Sequence, residues 1–179
     1  MLPPRLTVRL EALVLDRLAD PKPEVRKLAG ATLSGMLRGM APAEASALRG
    51  QLVGRAQQLL AGKGAKRSRK EGEGPGTTGE EPPSVLQQHG VVQGLKAFLQ
   101  SAPYDCPLWM PSVLNALVRP AAAQHSVGVD ASVRSVAAKA LDEFKRTHEQ
   151  DSLAELRAMM SPDDWDSLQQ ATGSASYFS

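Results

Sequence analysis

Along most of this 179-residue chain, apolar residues recur at intervals of three and four, and that spacing predicts helices rather than strands. At the start, Leu6, Leu10, Leu13, Val14 and Leu18 share one side of a helix over residues 4 to 18. The pattern is already under way in the first turn, as if the chain entered the middle of a repeat, so a fragment or truncated product is expected. The next segment, DPKPEVRKLAGATLSGML, has Asp20 as a start signal and prolines that part it from the helix before. Its predicted buried stripe is Val25, Leu28, Ala29, Thr32, Leu33, Met36 and Leu37. The same spacing returns in DASVRSVAAKALDEFKRTH, where Asp130 can cap and Val133, Val136, Ala137, Ala140, Leu141 and Phe144 fall on one face. In both segments an arginine follows the first core valine (Val25-Arg26, Val133-Arg134), and alanines in the second turn admit a close neighbour. Two helices follow one template.

That template resembles the second helix of a HEAT repeat. Its first-helix partners are residues 4 to 18 and a segment near 107 to 119 carrying Met110, Val113, Leu114, Leu117 and Val118. Residues 44 to 61 and 84 to 101 supply two more helices. The latter contains Gly90 and Gly94, which lower helix propensity, so packing must support it. A helix around Leu153, Leu156, Met159 and Met160 follows, then one capped by Ser161 with Pro162 behind it, where Trp165 and Leu168 would cover the end of the stack. The expected fold is all-α, a HEAT/armadillo-like α-solenoid segment with a disordered basic loop and a flexible C-terminal tail. Its parts are HEAT-like helices over 1–61, a Gly/Pro-rich basic linker over 62–83, a second helical domain over 84–171 and a tail over 172–179. The linker has no apolar side chain longer than alanine and cannot offset the entropy of ordering.

Composition narrows the function classes. The apolar share is 42% but aromatics reach only 4%, which favours packed helices over a sheet sandwich. A net charge of +2 is too small for a chain-wide nucleic-acid binder, so any basic function is local. The single cysteine, Cys106, cannot form an internal disulfide, which fits a reducing compartment. Nowhere do about 20 apolar residues run together as a membrane span requires, and a soluble protein is expected. Cys106, His89, His125 and His148 show no metal-site spacing, and neither a P-loop nor a Gly-x-Ser-x-Gly elbow occurs. No enzyme, cofactor or metal site is expected.

Ser101-Ala102-Pro103-Tyr104-Asp105-Cys106-Pro107-Leu108-Trp109-Met110-Pro111 resembles the S-x-P-Y-D-x-P-x-W-M-P segment near the C-terminus of the large single-chain, Blm-type proteasome activators. Phe144-Lys145-Arg146-Thr147-His148 resembles their F-R-R-T-H; the helix at 24 to 37, the basic loop and the aromatic terminus match in the same order. The resemblance implies an α-solenoid domed over the end ring of the 20S core particle, with the C-terminus inserted between two ring subunits and no ATP or chemistry of its own. Members of the family are about ten times longer than this chain, a length at which many repeats stack into one solenoid.

Three residue sets then become candidate sites. Tyr177, Phe178 and Ser179 resemble the hydrophobic-tyrosine-any tail that docks on the proteasome: two rings for burial and a terminal carboxylate for a lysine in the pocket. Phe178 stands where the family has tyrosine and lacks its hydroxyl, which bears on gate opening more than on binding. The bland alternative is an accidental aromatic end. Lys63, Lys66, Arg67, Arg69 and Lys70 place five charges within eight residues. They suit a nuclear import receptor, or equally a solvated linker, with DNA-backbone contact a third option; the resemblance implies a protein of nucleus and cytoplasm. Last, the family carries an acetyl-lysine reader, linked to acetylated histones, built on an Asn-Phe pair. Here the pair is Glu143-Phe144, and a carboxylate has no N–H for an acetyl carbonyl, so Phe144 reads better as a core residue. The rival to the activator reading is a helical-repeat scaffold or chromatin adaptor that binds through its solenoid surface.

Overall fold

The computed structural model describes residues 4–60, 84–122, 129–148 and 150–173. All regular structure among them is helical: α1 (Pro4–Arg17), α2 (Pro23–Gly39), α3 (Pro42–Leu60), α4 (Val85–Ser101), α5 (Met110–Ala122), α6 (Ala131–Thr147), α7 (Gln150–Met159) and α8 (Pro162–Gly173). The chain is all-α and solenoid-like. Successive helices pair as α1 with α2, α3 with α4 and α5 with α6; the pairs stack through α2 on α4, α4 on α6 and α3 on α5. At the far end α8 packs across both α5 and α6. No helix among the described residues is long and apolar enough to cross a membrane.

The shared template has a structural counterpart beyond its apolar spacing. Arg26 Nη1 donates to the carbonyls of Asp20 (2.7 Å) and Pro21 (3.0 Å), and Arg134 Nη1 donates to that of Val129 (3.1 Å). Each arginine reaches back over the first turn and holds the corner from which its helix starts. Asp130 caps α6 as expected, accepting from the Ser132 N–H at 2.8 Å. Asp20 does not cap α2. The N-cap position is Lys22, two residues later, because Pro23 is the first helical residue, and the Asp20 carboxylate instead accepts from the Lys22 N–H at 2.9 Å. Ser84 and Gln87 form a reciprocal capping box on α4 that the sequence reading did not single out. The helix expected near 107 begins only at Met110, after a Pro-containing loop.

Leu33, Val92, Leu95, Val113, Leu114, Leu117, Val133 and Leu141 are fully buried and, with Met110 and Leu156, make one continuous core. A buried side chain of this size contributes about 1.5–3 kcal/mol. The glycines of α4 are where neighbours come closest: a Cβ at Gly90 would meet that of Ala19 at 3.1 Å, and one at Gly94 would meet Leu52 Cδ1 at 2.8 Å. Low propensity there is offset by tight packing.

The predicted stripes of α1 and α2 need correcting. Leu28 is 69% exposed and Thr32 is exposed, while Arg26, Ala29, Gly30, Leu33, Ser34 and Leu37 form the buried side of α2. The helix is turned toward its small residues because these let α4 approach; Gln93 of α4 lies 3.4 Å from where a Gly30 Cβ would be. On α1, Val14 and Leu18 are buried but Leu10 and Leu13 are not.

Candidate functional site

Of the three residue sets, Lys63, Lys66, Arg67, Arg69 and Lys70, and likewise Tyr177, Phe178 and Ser179, lie outside the described residues. Glu143, Phe144 and the loop between α4 and α5 lie within them and come together at one end of the helices.

The last turn of α6 organises this region. Phe144 is buried and its ring faces that of His148, centroids 4.0 Å apart. His148, also buried, occupies the C-cap with Nδ1 3.0 Å from the Phe144 carbonyl, so the imidazole sits against the carbonyl end of its helix. Its Nε2 lies 3.3 Å from the carbonyl of Asp105, and this contact ties the end of α6 to the α4–α5 loop. The same loop is fastened from the other side by Trp109, whose ring meets Phe98 edge-on at 5.8 Å and carries the Arg49 guanidinium 5.5 Å from its centroid. Met110 is fully buried and Cys106 half-buried. Burial, helped by Glu155 and Asp105, pushes the Cys106 thiol above its usual pKa, which keeps it protonated and a poor nucleophile.

Two side chains of the loop take no part in this fastening. Tyr104 is 76% exposed and Leu108 88% exposed, on a backbone held from both sides. The segment is legible in the sequence as a pattern, but its outward-facing side chains are not. The signal available was their place directly after Pro103 and Pro107, in a run too short for a helix stripe to claim them.

Beside the loop, a cavity of about 370 Å³ opens between α2, α4 and α6, lined by Arg38, Lys96, Gln100, Pro103, Glu143 and Phe144 among others. Glu143 is fully engaged: Lys96 Nζ lies 2.8 Å from Oε2, and Gln100 Nε2 donates to Oε1 at 3.0 Å. Burial pushes its carboxyl pKa up, but hydrogen bonds from Lys96 and Gln100 and the charges of Lys96 and Arg146 outweigh that and hold it below the usual glutamate value. Arg38 Nη2 donates to the Gln100 carbonyl at 3.0 Å, completing a polar strip across three helices. An acetyl carbonyl brought to this wall meets, at Glu143, an acceptor already paired with a lysine. Phe144, for its part, is a buried core side chain that also borders the cavity.

A second polar group lies at the opposite ends of α4 and α6. Ser132 Oγ donates to Asp130 Oδ1, so the buried His89 must donate from Nε2 to Ser132 Oγ, 3.0 Å away, and Nδ1 is left as a lone pair with no partner. A serine whose proton goes to an aspartate is not activated by that histidine. Among the described residues no group of three His, Cys, Asp or Glu is placed to hold a metal.

Residues 85–179 match the family model described as proteasome activator complex subunit 4-like, C-terminal. Proteasome activator subunit 4 of Arabidopsis thaliana is 30% identical over 161 residues, 90% of this chain but 8% of that protein. Proteasome activator complex subunit 4 of Homo sapiens is 32% identical over 138 residues, 76% of this chain and 7% of its own length; subunit 4A of Danio rerio is 33% identical over 141 residues, 78% and 7%. The chain thus spans less than a tenth of these relatives, and the stretch matched by the family model includes the pinned α4–α5 loop, the α6 turn beneath it and the closing helices. With more than half its length matched, the chain belongs to the proteasome activator complex subunit 4-like, C-terminal family.

Proposed function

We propose that the chain is the C-terminal, HEAT-like part of a non-enzymatic, ATP-independent proteasome activator. The observation that carries the reading is the family match, which runs through the last residue and so takes in the aromatic tail. In this reading the helices position Tyr177, Phe178 and Ser179 at the end ring of the 20S core particle. The two rings enter a pocket between ring subunits, the Ser179 carboxylate pairs with a lysine there, and binding favours the open gate. Peptide-bond chemistry stays with the core particle. Lys63, Lys66, Arg67, Arg69 and Lys70 serve as a nuclear import signal, giving a protein of nucleus and cytoplasm with an import receptor as second partner.

Removing the last three residues is expected to abolish binding to purified core particle; equal binding by the truncated chain sinks the tail assignment. Peptide hydrolysis by the core particle with a synthetic peptide of the last eight residues, beside its Phe178→Tyr form, separates docking from opening. The native peptide is expected to stimulate less than the tyrosine form.

One observation favours a second reading. Tyr104 and Leu108 are displayed on a braced loop, and a tyrosine held this way suits a protein-binding surface. A scaffold acting through that surface keeps its partner after loss of the tail and loses it on Tyr104→Ala.

A further inference from the structure

A further cavity, of about 570 Å³, opens between α3, α5 and α8, a size within the usual range for bound ligands. Residues at helical spacing line its walls: Val53, Gln57 and Leu60 on α3, Asn115 and Arg119 on α5, with Asp164 of α8 on the third side. Its polar groups are unspent, unlike those of the Glu143 wall, where carboxylate, lysine and amide satisfy one another. Among the described residues, the Gln57 and Asn115 amides and the Arg119 guanidinium have no hydrogen-bond or ion-pair partner. Asp164 accepts from Ser161 Oγ through Oδ2 at 2.8 Å, which leaves Oδ1 open. Arg119 and Asp164 border the same space with opposite charges, yet among the described residues no ion pair joins them. Gln57 and Arg119 are exposed at the rim, where water serves them, but Asn115 is half-buried beside the fully buried Leu114. A half-buried amide without a partner costs stability where an apolar side chain would not. Polar groups kept at that cost are the mark of a site in use.

We propose that this cavity binds a short, extended peptide segment that carries an acidic side chain. A primary amide presents a donor and an acceptor in one plane, the complement of a peptide unit's C=O and N–H. Gln57 and Asn115, on neighbouring helices, thus hold a backbone from two sides whatever its side chains. The Arg119 fork takes the carboxylate, and Asp164 sets the opposite charge on the α8 side, which fixes the direction in which the segment lies. Val53 and Leu60 give an aliphatic side chain its apolar wall. None of these residues belongs to the tail, so the site is separate from docking on the core particle.

The probes are pools of blocked heptapeptides, randomised except for a central glutamate, glutamine or lysine, titrated into the full 179-residue chain. Nuclear magnetic resonance of the Gln57 and Asn115 side-chain amides reads occupancy at the site itself. The glutamate pool is expected to bind about 3- to 5-fold more tightly than the glutamine pool, the scale of an exposed ion pair, and the lysine pool most weakly. Arg119→Gln should erase the difference between the glutamate and glutamine pools. Asn115→Leu, read at Gln57, should weaken all three by about tenfold, the loss of the hydrogen bonds one amide makes. It should also melt at or above the native temperature, which separates lost binding from lost folding. Melting well below it would make Asn115 a structural residue and overturn the proposal, as would unchanged binding by this variant. Inorganic phosphate moving the same signals as far as the glutamate pool does would reduce the site to an anion contact. Amide signals that respond to none of the pools overturn the proposal outright.

Discussion

Leu28 and Leu33 sit five residues apart on α2, and the apolar spacing alone assigns both to the core. The structure separates them: Leu33 has no exposed surface, whereas Leu28 is 69% exposed. Leu33→Ala removes a fully buried isobutyl group and leaves a cavity between α2 and its neighbours, a change that costs about 2–5 kcal/mol. Leu28→Ala forfeits only the buried third of its side chain, about 0.5–1 kcal/mol by burial, and recovers a few tenths from alanine's helix propensity. The gap between the two variants is therefore expected to be at least about 1.5 kcal/mol. For a chain of this size that is a difference in Tm of about 3–6 °C, at about 2–4 °C per kcal/mol. Urea unfolding followed by circular dichroism at the helix band measures it as a shift in midpoint at constant slope. If Leu28→Ala costs as much as Leu33→Ala, α2 is rotated from the orientation described.

Other expectations follow from the same structure. Gly94→Val should destabilise by about 1–3 kcal/mol through collision with Leu52, while Gly54→Ala on α3, with nothing within 4 Å, should stabilise by about 0.5–1 kcal/mol; thermal melts of the pair must move in opposite directions. Burial, with Arg26 nearby, lowers the His89 pKa, so the unfolded chain takes up a proton near pH 6.5 before the folded one does. Stability is then lost as pH falls below that value, and a His89→Gln variant should show a flatter profile between pH 6.5 and 5 in urea melts. Asp130→Ala removes the α6 cap and should cost about 1 kcal/mol, whereas Asp20→Ala, which removes no cap, should cost less in the same assay. Cys106 should react with iodoacetamide more slowly than free cysteine at pH 8, and a rate equal to it would contradict the raised pKa.

Periodicity carried most of the fold. The helices, the pairing of α1 with α2 and of α5 with α6, and the core faces of α5 and α6 follow from apolar spacing, because α5 and α6 are covered on several sides. α1 and α2 misled for the opposite reason. At an open end, hydrophobic residues exceed what the visible neighbours bury, and a wheel plot has no means of telling which flank is covered. The buried side of α2 was chosen by Gly30 and Ser34, whose lack of bulk is silent in a hydrophobicity pattern. At the candidate site, the motif 101–111 was legible as a string, yet the division of labour within it was not. Asp105 acts through its backbone carbonyl and Trp109 through Phe98 and Arg49, contacts at long sequence separation. Glu143 was recognised as lacking an N–H; its partners Lys96 and Gln100, on another helix, had no local signature.

The start of α4 differs in kind from the starts of α2 and α6. α2 and α6 each start from a corner clasped by an arginine of their own helix, whereas α4 starts from a self-contained Ser84–Gln87 box, and its Gln88 Oε1 accepts from the backbone N–H of Asp130 at the start of α6. The seat of α4 is thus defined by its own first turn and by the start of α6. The placement of α4 therefore does not lean on an arginine clasp of the kind that seats α2 and α6.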